Sequence, residues 1–111
     1  MRQGHQVARK LPLVQVAIAL MDDPLGLHWG YQLMTRAGVR SGVLYPILQR
    51  MLDGGWLQDG WEDPQVIAER RPARRYYEVT DRGRRELGAI ISEASADPRF
   101  VSLLAWAQGT R

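Results

Sequence analysis

RSGVLYPILQRMLDGGWL, residues 40–57, and RRPARRYYEVT, residues 70–80, decide the fold. In the first stretch the apolar pairs Val43–Leu44, Ile47–Leu48 and Met51–Leu52 recur every four residues, which is one face of a helix. Ser41 is a good N-cap for it. Pro46 has no N–H to donate, so it belongs in the first turn and sets the start near Ser41 or Gly42. Gly54-Gly55 ends the helix, and Trp56 to Glu62 reads as a strand with a kink at Gly60. Residues 63–72 form a basic loop, and Arg74 to Val79, rich in Tyr, is a second strand. Helix, strand, basic loop, strand is the order of a winged helix. That fold lays one helix in a DNA groove and a loop on the adjacent backbone.

Upstream of Ser41, residues 29–37 predict a short helix with Leu33 and Met34 inward and Arg36 outward. Gly38 is a left-handed stop after it, and Val39 and Arg40 make the turn. The pair of helices has helix-turn-helix proportions. Residues 12–22 predict a first helix, with Pro12 in its first turn. It is apolar on nearly every side, so most of its faces must be buried. In a chain of 111 residues that points to a subunit interface as well as a core. Residues 1–9 read as a flexible polar arm, and Asp22-Asp23-Pro24 breaks the first helix. Thr80 caps a fourth helix with an inward stripe of Leu87, Ile90, Ile91 and Ala94. After Asp97-Pro98, a helix over about 99–107 carries Phe100, Leu103, Leu104 and Trp106. It is too short to stand alone and must dock. A dimer contact is the first expectation, docking on its own chain the second and a platform for a flat ligand the third.

The expected fold class is therefore mainly α with a small two-stranded β-wing. Residues 10–96 form a winged helix-turn-helix domain, and residues 97–111 a short C-terminal dimerisation helix. Composition agrees: one domain, 45% hydrophobic and 24% charged, is a globular protein and not a disordered chain. The net charge of +3 suits a polyanion partner. Of the 15 basic residues only Lys10 is Lys, and Arg is the better fork for phosphates and guanine edges; a codon bias toward Arg explains the same count. There is no Cys, which excludes disulfides, thiolate catalysis and Cys-ligated metal. The longest apolar run, at 11–21, is too short to span a bilayer. The expectation is a soluble, cytoplasmic protein.

The outer face of the helix that Ser41 caps carries Ser41, Tyr45, Gln49 and Arg50, groups that bond base edges, thymine methyls or phosphates. An ordinary solvated face is the competing reading. Gly42 lies among them, and Arg36 and Arg40 flank them on the preceding helix and turn. Arg70, Arg71, Arg74 and Arg75 fall within six residues, diluted by Glu69. Such a cluster repels itself unless it meets anions, and as a wing it lies on phosphates or enters a minor groove. A solvated hairpin tip is the alternative. Trp56 and Trp61 read as core or sheet-face residues and Trp29 as the head of a helix. His5 and His28 lack a carboxylate at metal spacing. No catalytic triad, phosphate loop or metal cluster is visible, so no enzyme activity and no cofactor are expected.

These residues together resemble the PadR family of bacterial transcriptional regulators. The likeness is carried by Gly30-Tyr31, by Ser41-Gly42-Val43-Leu44-Tyr45-Pro46, by Gly55-Trp56-Leu57 and Trp61, by Arg75-Tyr76-Tyr77, and by Thr80 and Gly83. It covers roughly residues 12–95. The resemblance implies a dimeric winged helix that is usually a repressor, binds inverted repeats, and in some members releases DNA on binding a small phenolic or drug-like molecule. It places Ser41, Gly42 and Tyr45 in the groove-reading segment and Arg70 to Arg75 in the wing. Two departures are Trp29, where a His is common, and a single short terminal helix, as in a subgroup with a short C terminus.

The expectation is a sequence-specific, dimeric DNA-binding repressor. Its partners are double-stranded DNA, a second copy of itself and a small aromatic effector, with no membrane. Leu13, Val16 and Leu20 of the first helix meet Phe100, Leu103, Leu104 and Trp106 across the two-fold axis. That spaces two reading helices roughly 34 Å apart, one DNA turn. Two other readings stand beside it. One is a winged helix that only binds proteins, its Arg residues meeting an acidic partner. The other is a ligand-sensing regulator with an aromatic pocket at the dimer interface.

Overall fold

The computed structural model describes the backbone of residues 2–67 and 70–107 and the side chains of residues 10–67 and 70–102. The order is α1 (Arg2–Met21), β1 (His28–Trp29), α2 (Gly30–Ala37), α3 (Ser41–Asp53), β2 (Leu57–Trp61), a single 3-10 turn (Pro64–Val66), β3 (Arg75–Val79), α4 (Asp81–Ser95) and α5 (Pro98–Ala107). This is a mainly α winged helix, as expected, with one addition. The wing sheet has three strands in the order β1-β3-β2. β1 is antiparallel to β3, with His28 opposite Tyr77 and Trp29 opposite Tyr76. β2 is antiparallel to β3, from Leu57 opposite Val79 to Trp61 opposite Arg75.

Two boundaries differ from expectation. α1 begins at Arg2, not near residue 12, so the stretch read as an arm is helical backbone and Pro12 lies inside the helix. Gln, Ala, Arg and Lys before Pro12 are good helix formers, and that propensity carries the helix past the lost donor. α3 begins at Ser41, but Arg40 occupies the cap position and no side chain caps it. Arg40 is extended, and its carbonyl accepts the Val43 and Leu44 amides at 3.0 and 2.9 Å. Pro46 therefore stands in the second turn, where it leaves the Gly42 carbonyl without its usual donor. Gly38 does adopt the left-handed form, with φ 70°, and its amide closes α2 on the Met34 carbonyl.

The main core cluster joins Leu20 of α1, Leu33 of α2, Leu44, Ile47, Leu48 and Met51 of α3, Leu57 and Tyr77 of the sheet, and Leu87 of α4. The all-round apolar character of α1 has a simple cause, since α2, α3, α4 and α5 all pack on it. Val16 and Leu20 have no exposed surface within the single chain. Phe100 of α5 is buried with Val14 and Ala94, and Leu13 packs on the main cluster. Val16, Leu20 and Phe100 are covered by their own chain. The side chains of Leu103, Leu104 and Trp106 lie outside the described residues.

The junction between α3, the wing and α4 is tied by Thr80. Its hydroxyl donates to the Gly55 carbonyl at 2.6 Å and accepts the Gly83 amide at 3.0 Å, while its amide donates to the Trp56 carbonyl at 3.0 Å. Gly83 has no alternative there, because a Cβ would overlap the Trp56 carbonyl. Gly55 has φ 75°, which favours glycine.

Candidate nucleic-acid interface

α3 buries Leu44, Ile47, Leu48 and Met51 and exposes Ser41, Gly42, Tyr45, Gln49 and Arg50. The expected outer face is thus brought together on one side. Gln49 is partly committed, donating to the Asp53 carboxylate at 2.9 Å. Tyr45 is 44% exposed, yet its hydroxyl end lies against Gly30, where a Cβ would collide with it. The Gly30-Tyr31 and Leu-Tyr-Pro elements are therefore one contact: the glycine opening α2 makes room for the tyrosine of α3. Arg36 and Arg40 are exposed, and Arg36 stands 4.0 Å from Asp22.

The wing differs from a bare cationic tip. Arg71 makes a forked pair with Glu62, at 2.8 and 3.2 Å, and Glu62 also accepts the Arg74 amide at 2.9 Å. The Arg71 guanidinium, and then the Arg74 amide, hold the Glu62 carboxyl below its ordinary value. Arg75 pairs with Asp59 at 2.6 Å, with its guanidinium 5.1 Å from the centre of the Tyr77 ring. The anions that the arginine cluster requires are thus supplied in part by Asp59 of β2 and by Glu62, which follows it. Arg70 and Arg74 are exposed, with no hydrogen bond or ion pair from their guanidiniums among the described residues. Strand alternation was readable in the sequence, but pairing of Arg75 with Asp59 depends on register, which a sequence of separate strands does not specify.

Between α2, α3 and the wing lies a cleft of about 930 Å³, walled by Trp29, Tyr31, Tyr45, Trp61, Arg74 and Tyr77. Trp61 is 65% exposed, so it is a sheet-face residue and not a core one, while Trp56 packs on the core. Trp29, Tyr31, Gln32 and Trp61 were not among the expected contact residues. The readable signal was two-residue alternation, which puts Trp61 on the same sheet face as Asp59 and Leu57. A smaller hollow of about 500 Å³ is lined by Leu27, Trp29, Trp61, Val66, Ile67 and Tyr76. His28 is buried, bonded through Nε2 to the Asp23 carbonyl at 2.8 Å, and pins the loop after α1 to β1. Among the described residues no helix is long and apolar enough to cross a membrane.

Comparison with known proteins fits this geometry. The family model described as "Transcriptional regulator PadR-like family" matches residues 26–89, from the loop before β1 well into α4. A PadR family transcription regulator from hypervirulent Clostridium difficile R20291 superposes with a TM-score of 0.61 at 18% identity, over 86% of this chain and 94% of that one. A padr family transcriptional regulator from Eggerthella lenta DSM 2243 gives 0.61 at 20% identity, over 96% and 92%. The protein smu.1704 from Streptococcus mutans UA159 gives 0.62 at 20% identity, over 91% and 92%. No curated protein sequence matches.

Proposed function

The chain belongs to the PadR-like family of transcriptional regulators, and from that premise we propose that it binds duplex DNA as a dimeric repressor. α3 enters a major groove, and the wing lies on the neighbouring backbone. The observation that carries this reading is the exposed face of α3. Ser41, Gly42, Gln49 and Arg50 stand on the side away from the core, beside a wing whose Arg70 and Arg74 reach solvent. Gln and Arg at such positions read base edges, and exposed Arg on the wing meets phosphates. Arg36 and Arg40 extend the same positive edge, and Arg71 and Arg75 support the wing while paired to acids. Two copies related by a two-fold axis would present two such faces to an inverted repeat, the kind of site that the family resemblance implies.

Titration of a labelled duplex at several salt concentrations tests this. Affinity is expected to fall with salt by roughly 0.9 log unit per decade for each phosphate neutralised. Absence of binding at low salt would overturn the reading and favour a winged helix that binds only proteins.

A further inference from the structure

Trp61 closes β2 with 65% of its surface in solvent, and Tyr31 stands in the first turn of α2 with 78% exposed. Neither belongs to the core. Both wall the cleft between the helices and the wing, and Arg74 lines the same cleft. Large rings left in water forgo the stabilisation that burial would bring, so a pair facing one cleft points to an occupant.

Charge and continuity identify that occupant. Glu62 lines the cleft, but its carboxylate is held by Arg71 and the Arg74 amide. Arg75 also lines it, and is paired with Asp59. The side chain left to meet an anion is Arg74. Tyr45 belongs both to the exposed face of α3 and to the cleft wall, so whatever lies along α3 continues into the cleft.

We propose that this cleft seats the sugar–phosphate backbone of one strand of duplex DNA. The Trp61 and Tyr31 rings lie against deoxyribose faces, and Arg74 meets a phosphate. The inference rests on the DNA-binding reading above and adds two contact residues to it. It has a distinctive consequence. Ring contacts release no counterions, so they add affinity that salt does not screen, whereas Arg74 adds affinity that salt removes.

The test uses the full chain and a fluorescein-labelled mixed-sequence duplex, with Kd measured across a salt series. Trp61→Ala and Tyr31→Ala are each expected to weaken binding by about fivefold at every salt concentration, displacing the line without changing its slope. Arg74→Ala is expected to lower the slope by about 0.9 unit. Trp61→Phe keeps a ring in place and is expected to retain most of the affinity, which separates a wall from a merely structural residue. Thermal unfolding of the exposed-site variants should match the parent. A parent that binds with Trp61→Ala and Tyr31→Ala indistinguishable from it overturns this inference alone. So does a change of slope in those two variants. A parent that binds no duplex overturns the DNA reading and this inference together.

Discussion

Gly83 and Gly88 are five residues apart on α4 and answer to opposite constraints. A Cβ at Gly83 would overlap the Trp56 carbonyl, which is backbone and cannot swing aside, whereas a Cβ at Gly88 would meet nothing within 4 Å. Gly83→Ala is expected to destabilise the fold by about 2–3 kcal/mol through overpacking. Gly88→Ala is expected to stabilise it by up to about 1 kcal/mol, since it only removes backbone freedom from the unfolded chain. Urea unfolding of the two variants checks both signs. Thr80→Ala should cost about 1 kcal/mol, because the Gly83 amide loses its cap. The cap was legible in the sequence. The reason for the glycine three residues later was not, because it lies in a chain segment more than twenty residues upstream.

The wing is an element held open by acids as much as by strand pairing. Glu62 joins its two outer ends through the Arg71 guanidinium and the Arg74 amide. Its carboxyl is held below the ordinary value, so the stabilisation is fully present above that ordinary value and is lost as the pH falls through the lowered one. Carboxyl NMR of Glu62 should therefore show a titration displaced to lower pH. In Glu62→Gln the wing amides should exchange faster at neutral pH, while the helices stay protected. α3 was legible because its apolar pairs repeat at helical spacing. β1 was not, since His28-Trp29 is too short to show alternation and is a strand only because Tyr76 and Tyr77 pair with it. The wing arginines were legible as a cluster, but their acid partners Asp59 and Glu62 became visible only with the hairpin register.

For the molecule as a whole, assembly and stability meet at α5. The helix covers Val14 and Ala94 through Phe100 and leaves Val101 45% exposed. Deleting residues 97–111 should lower stability by about 3 kcal/mol, through loss of the buried Phe, as well as weaken dimerisation. Sedimentation of the full chain should give a dimer, and a monomer at high concentration would overturn that expectation. The strand order β1-β3-β2 also dictates a sequence of events in time. β2 and β3 are near neighbours along the chain, so their hairpin can close early. β1 must find β3 across a loop of about 50 residues that includes all of α2 and α3. The pairing of His28 with Tyr77 is therefore expected to form after the hairpin closes and to open before it does. Under native conditions the amides of β1 should exchange with solvent before those shared by β2 and β3, in a partial opening that frees the α1–α2 connection while the hairpin stays shut.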